Sequence, residues 1–280
     1  MLRLPLLFGR QFAEYFAPAG PGQPLWLFVH VPKTAGSSLR AELAELLRPE
    51  ANIHIDHGDT RKTHHERFDQ AVADFIAKAR QRHFRFASGH LDSAQASRIC
   101  DALPEVRRVT MLRHPDARFV SDFRYQRSPM HPTHEEFRRR MPTLEDYVGF
   151  RTERNKTARH LVPRDLVDGG DAAACIDHVL QNFDFVGIQE MYPLSFRTLT
   201  TLVGEPRSAT RTLRANEVTA ENRVELAPAM AREIEANKPL DMAIYETMLQ
   251  RFRAIRAPLR DYLRDNAPIR GAPIRGAAAK

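Results

Sequence analysis

The stretch Leu25-Trp26-Leu27-Phe28-Val29-His30-Val31-Pro32-Lys33-Thr34-Ala35-Gly36-Ser37-Ser38 joins an unbroken apolar run to a short polar turn. A continuous apolar run of this length, bounded by turn formers, reads as a strand buried on both faces, as in a parallel sheet. Apolar residues then recur at helical spacing from Leu39 to Leu47. Strand, turn and helix in this order open an α/β domain. The turn is also where such domains hold anions, because unpaired N–H groups and the helix dipole converge at the helix start. Gly36 permits close backbone approach. Ser37 and Ser38 offer hydroxyls, Thr34 lies between them and the charge, and Lys33 supplies a point charge. The nucleoside-triphosphate loop G-x-x-x-x-G-K-[ST] fits poorly, since Lys33 precedes Gly36 rather than following it and no first glycine is present.

Working outward, apolar runs at 52–55, 84–88, 109–112 and 183–188 read as further strands, separated by helical patterns at 66–81, 92–102, 115–126, 171–182 and 190–203. This alternation predicts a three-layer α/β sandwich around a central, mostly parallel sheet. Residues 130–170 are polar and Arg-rich and read as a helical insertion, and 218–264 read as helices returning to the core. The expected organisation is an N-terminal extension over 1–24, one domain over 25–264 and a basic tail over 265–280, where Ala-Pro-Ile-Arg-Gly occurs twice in tandem.

A second candidate site begins where Val109-Thr110-Met111-Leu112 ends in Arg113. Pro115 suits the first turn of the following helix and Asp116 suits its dipole. Ser121 lies eight residues after Arg113, away from the apolar stripe of Phe119, Val120 and Phe123. Arginine is the preferred clamp for a phosphate. A magnesium-dependent NTPase would place a carboxylate after such a strand, whereas a cation here suits a second phosphate.

His30–Ser38 and Leu112–Ser121, in this order, resemble the two phosphate-binding segments of carbohydrate-type sulfotransferases, the family that includes heparan-sulfate O-sulfotransferases and bacterial relatives. Phe185–Glu190 and Pro239–Tyr245 are also similar to that family, while Arg154–Leu161 matches in part, with Ala158 where the pattern has Thr. The resemblance implies a P-loop-like fold and 3′-phosphoadenosine-5′-phosphosulfate as donor. It implies that Lys33, Thr34, Gly36, Ser37 and Ser38 hold the 5′-phosphosulfate and that Arg113 and Ser121 hold the 3′-phosphate. A metal is not required by this chemistry, and the sequence offers no compact ligand set.

An acceptor hydroxyl needs a base. His90, just past the strand that ends in Phe86-Ala87-Ser88-Gly89, would lie on the same sheet edge as Lys33 and Arg113, and a histidine titrates near working pH. Family members use a strand-end histidine in a similar position, which supports His90. A structural histidine is the plain alternative, and Glu190 is the second candidate base. His54, His57, His64 and His65 form no spaced ligand set and read as a solvated stretch. Arg138-Arg139-Arg140 reads as a solvated helix face that could steer an acidic acceptor.

Of the chain's 280 residues, 42 are Lys or Arg and 35 are Asp or Glu, a net charge of +7 that suits anionic ligands. Cys100 and Cys175 lie far apart and indicate neither a disulfide framework nor a zinc site. Met1–Phe8 is too short and interrupted for a signal peptide or span, so a soluble, cytoplasmic protein without membrane insertion is expected. The basic residues are scattered and no aromatic-basic reader motif occurs, which argues against nucleic acid. The acceptor is expected to be a glycan or another hydroxylated molecule. The competing readings are a P-loop-type small-molecule kinase and a non-catalytic nucleotide or polyanion binder on the same scaffold.

Overall fold

The computed structural model describes residues 3–18, 22–55, 62–103, 105–210 and 226–267. Among them a five-stranded sheet is formed by β1 (Leu25–Val29), β2 (Glu50–Ile53), β3 (Phe86–Gly89), β4 (Val106–Leu112) and β5 (Phe185–Ile188), in the order β2-β3-β1-β4-β5. Every pairing is parallel, so the mostly parallel sheet read from the sequence is wholly parallel. All residues of β1, β3 and β5 are buried. Burial without alternation means that both faces are covered, which is why these strands read as continuous apolar runs.

The helices are α1 (Arg3–Phe8), α2 (Phe12–Phe16), α3 (Gly36–Leu46), α4 (His64–Gln81), α5 (Ser93–Ala102), α6 (Pro115–Gln126), α7 (His134–Arg140), α8 (Leu144–Val148), α9 (Lys156–Leu161), α10 (Arg164–Gly169), α11 (Ala172–Asn182), α12 (Tyr192–Leu202), α13 (Pro228–Ala236) and α14 (Pro239–Asn266). Their starts follow local chemistry. Thr63 and Glu66 form a capping box on α4, Asp92 and Gln95 do so on α5, and Pro115 occupies the first turn of α6. The 130–170 segment is helical without strands, as its polarity suggested. Leu4, Leu7 and Tyr15, from the stretch read as an extension, are fully buried in the same core as the sheet. His57 and residues 268–276 of the tandem repeat that begins at Ala267 lie outside the described residues, as do 218–225 of the expected C-terminal helices. No helix among the described residues is long and apolar enough to cross a membrane.

Parallel strands place their carboxyl ends on one edge. The first residues beyond β1, β3, β4 and β5 are His30, His90, Arg113 and Gln189. The chain leaves β1 toward β3 and β2, and leaves β4 toward β5, so the connections diverge between β1 and β4. Such a divergence opens a crevice outside the strand ends, which is where α/β sheets bind ligands.

Beneath that edge lies a buried ionic network. Arg118 is completely buried and pairs with Glu153 Oε2 at 2.6 Å and with Asp122 at 3.8 Å. Lys156 Nζ pairs with Asp122 at 3.1 Å and donates to Glu153, and the Tyr147 hydroxyl donates to Asp122 at 2.9 Å. Burial alone would raise the Asp122 carboxyl, but Lys156 and Arg118 prevail and hold it at about 2. The network ties α6 to the segment leading into α9.

Removing one member of a buried pair leaves an uncompensated charge. Arg118→Met should therefore cost about 3–5 kcal/mol in urea unfolding. Asp122 has a folded pKa below its unfolded value, so its stabilisation is complete above the unfolded value of about 3.9. It is lost as pH falls toward about 2. Acid unfolding of Asp122→Asn should lack that component.

Candidate functional site between the ends of β1 and β4

The loop after β1 is strained where it turns. Lys33 (φ 71°) and Ala35 (φ 60°) both occupy the left-handed region although neither is glycine. Each such residue costs on the order of 1–3 kcal/mol and persists where surrounding contacts impose it. Alternating backbone of this kind directs successive N–H groups to one side, a geometry suited to anions. Gly36 begins α3, and its hydrogen faces the His30 imidazole: a Cβ there would stand 2.0 Å from His30 Nε2. Gly36 is thus required by the packing of His30, a closer constraint than the ligand approach inferred from sequence.

The hydroxyls divide into two groups. Thr34 is fully buried and donates to the Val31 carbonyl at 2.8 Å, leaving its backbone N–H for any ligand. Ser38 is buried and engaged within the protein. Ser37, half-buried at the start of α3, makes no hydrogen bond within the described protein, and neither does half-buried Ser121 in the second turn of α6. Lys33 Nζ lies 4.0 Å above the centre of the Tyr125 ring, a cation–π contact from the last turn of α6.

Arg113 joins the two segments. Its Nη1 donates to the Lys33 carbonyl at 3.2 Å across the crevice. Burial lowers its pKa, with the Glu190 carboxylate acting in the opposite sense. No carboxylate among the described residues forms an ion pair with it. Glu190 instead accepts from the backbone N–H of His114 at 2.9 Å, capping α6. This contact gives Glu190 a structural task and orients the turn that carries Arg113. A half-buried cation of this kind is stabilised by a counter-anion, and among the described residues Glu190 acts on it without forming an ion pair.

His90 stands on the β3 side of the loop. Its Nδ1 is 2.8 Å from the His30 carbonyl. A carbonyl only accepts, so Nδ1 carries the proton and Nε2 bears the lone pair. The ring keeps a solvent-exposed surface yet is crowded by protein, and that desolvation lowers its pKa below the ordinary value, the His30 hydrogen bond opposing it. His90 is therefore a neutral acceptor at neutral pH.

Sequence reasoning missed three neighbours. His30 lies against His90, tilted by 32°, at 4.2 Å between ring centres. His160 of α9 donates from Nδ1 to the Leu91 carbonyl at 2.7 Å, and burial drives its pKa down to about 3. Lys156 belongs to the ionic network and lies near enough to His90 to depress its titration. Both α9 residues occur in the Arg154–Leu161 stretch, but nothing local marks them, since their partners are distant in sequence. The Arg138–Arg140 run is less free than a solvated face: Arg138 Nε donates to the Arg127 carbonyl at 2.7 Å, and Arg140 pairs with Glu136 at 3.4 Å.

Gly36→Ala should force the His30 ring from its place and destabilise the protein by about 1–3 kcal/mol, measured by the urea midpoint at constant slope. An unchanged midpoint would contradict the assigned packing.

No protein-family model matches the chain, and no curated protein matches it. Among solved structures the chain is similar to a sulfotransferase from Alicyclobacillus acidocaldarius, with 18% identity, a TM-score of 0.45, and alignment over 82% of this chain and 96% of that one.

Proposed function

We propose that the protein is a sulfotransferase that uses 3′-phosphoadenosine-5′-phosphosulfate and passes the sulfuryl group to a hydroxyl (or amine) of a glycan or another hydroxylated molecule. The observation that carries this reading is Arg113: a half-buried guanidinium with no ion pair among the described residues, bonded to the Lys33 carbonyl at the point where the sheet connections diverge. Two cationic side chains on two strand-end segments suit a ligand with two separate anionic groups. The strand end that would carry a magnesium carboxylate in a triphosphate enzyme carries Arg113, which favours the bisphosphate-type donor over the kinase alternative.

The residues fit the donor's chemistry. The backbone N–H groups at the start of α3, with the Ser37 hydroxyl and Lys33, would hold the 5′-phosphosulfate; Thr34, Gly36 and Ser38 shape that loop. Arg113 and Ser121 would hold the 3′-phosphate. When bound, the donor supplies an activated sulfuryl group attached to a phosphate leaving group. Lys33 stabilises negative charge developing at the leaving oxygen. His90 Nε2, which bears the lone pair of the neutral ring because Nδ1–H donates to the His30 carbonyl, would accept the proton of the attacking hydroxyl and become imidazolium. The transfer is in-line and depends mainly on positioning and charge stabilisation, which a rigid sheet edge provides.

Calorimetric titration with adenosine 3′,5′-bisphosphate should show saturable binding to the wild type that is lost in Arg113→Ala, with magnesium–ATP binding weakly. Preference for magnesium–ATP would instead support the kinase. Donor turnover should fall on the acid side as His90 gains its proton. Because its pKa is lowered, that fall should lie below the ordinary histidine value of about 6.5. His90→Asn should remove the acid limb and reduce turnover by about 10²–10⁴-fold. Bisphosphate binding with unaltered turnover in His90→Asn would favour a role for His90 other than that of base.

A further inference from the structure

We propose that His30 is a positioning residue that couples the anion-binding loop to the base, acting through the shape of its ring; this rests on the sulfotransferase reading for its function but not for its geometry. Three constraints meet in this one residue. Its backbone N–H donates to the Gly89 carbonyl at 3.0 Å, extending the β1–β3 pairing by one position. Its carbonyl accepts His90 Nδ1–H at 2.8 Å. Its imidazole is stacked on Phe28 at 5.2 Å and 15°, leans on His90 at 4.2 Å and 32°, and fills the space over Gly36.

The ring itself makes no hydrogen bond within the described protein. Burial, reinforced by His90, His160, Arg40 and Lys33, pushes its pKa well below the ordinary value, so it remains neutral. A neutral ring that bonds nothing contributes planarity and volume. It is wedged between the helix start that bears Ser37 and the face of His90. Movement of the loop against α3 is thereby transmitted to the base, and the base cannot rotate away from Nδ1–H bonding without displacing the ring. The charged groups bearing on His90 are Lys156 of α9, Asp122 of α6 and Lys33 of the loop, with the neutral His160 ring of α9 beside them, while the three atoms nearest a Cβ on Gly36 all belong to the His30 ring.

The test is nitrogen-resolved histidine NMR on the full chain through a pH titration, combined with calorimetric titration by adenosine 3′,5′-bisphosphate, on wild type, His30→Ala and His30→Phe. In the wild type, His90 should be in the Nδ1–H form and titrate below the ordinary value. In His30→Ala, the His90 titration should move up toward about 6.5, the Nε2–H form should gain population, and bisphosphate affinity should fall on the order of tenfold, as for other residues that orient a ligating or reacting group. His30→Phe, which keeps an aromatic face, should retain the low His90 titration. Unchanged titration and affinity in His30→Ala would overturn the proposal, as would a wild-type His90 in the Nε2–H form. If His30→Ala does not fold, the wild-type tautomer and the His30→Phe titration decide. If no variant binds the bisphosphate, the donor reading fails, while the His90 titrations still decide the coupling.

Discussion

A guanidinium held half-buried without an ion pair among the described residues is the constraint around which the edge between β1 and β4 is organised. Arg113 enters the crevice because β4 ends there, and its bond to the Lys33 carbonyl fixes the strained loop after β1 against the strand end opposite. The desolvation it suffers is not relieved by any ion pair with a described residue, and Glu190, the acid near enough to influence it, is committed to the N-terminus of α6. An anion arriving in the crevice meets a cation that already lacks much of its hydration, so little of the attraction is spent on removing water.

Several other buried cations are paired with carboxylates, whereas Lys238, fully buried, has no hydrogen-bond partner among the described residues and lies 4.1 Å from the centre of the Phe119 ring. Arg118 and Lys156 share Asp122 and Glu153, and Arg3 and Arg107 both reach Asp184 at the opposite end of the sheet. The network reaches the neighbourhood of His90 at α9: Lys156 anchors it, and the same short helix presents His160 to the Leu91 carbonyl next to His90. His90, the proposed base, is braced from β1 by His30 and approached from α9, while its Nδ1–H bond leaves Nε2 as the acceptor in the neutral ring.

Much of this was legible in the sequence where the signal is local. Leu25–Val29 reads as a buried strand because nothing polar interrupts it, and α6 begins at Pro115 because proline is suited to that position. The edge strand β2 was harder: it spans Glu50–Ile53 rather than 52–55, since its extent is set by register with β3 and not by its own composition. The motif residues Lys33 and Arg113 are 80 positions apart yet in hydrogen-bond contact. What stayed illegible depends on such long-range contact without a local pattern: the reason for Gly36 is a side chain six residues earlier, and the neighbours of His90 come from His30, Lys156 and His160. Thr34 and Ser38 resemble ligand hydroxyls in sequence, but whether a hydroxyl points inward is decided by packing.

The most direct test of the central claim is a crystal structure of the chain with adenosine 3′,5′-bisphosphate. The account predicts the 3′-phosphate on Arg113 beside Ser121, the 5′-phosphate in the 33–38 loop at the start of α3, and His90 Nε2 facing the open side of that phosphate. A nucleotide bound away from the β1–β4 crevice, or one whose 3′-phosphate leaves Arg113 without an anion, would contradict it.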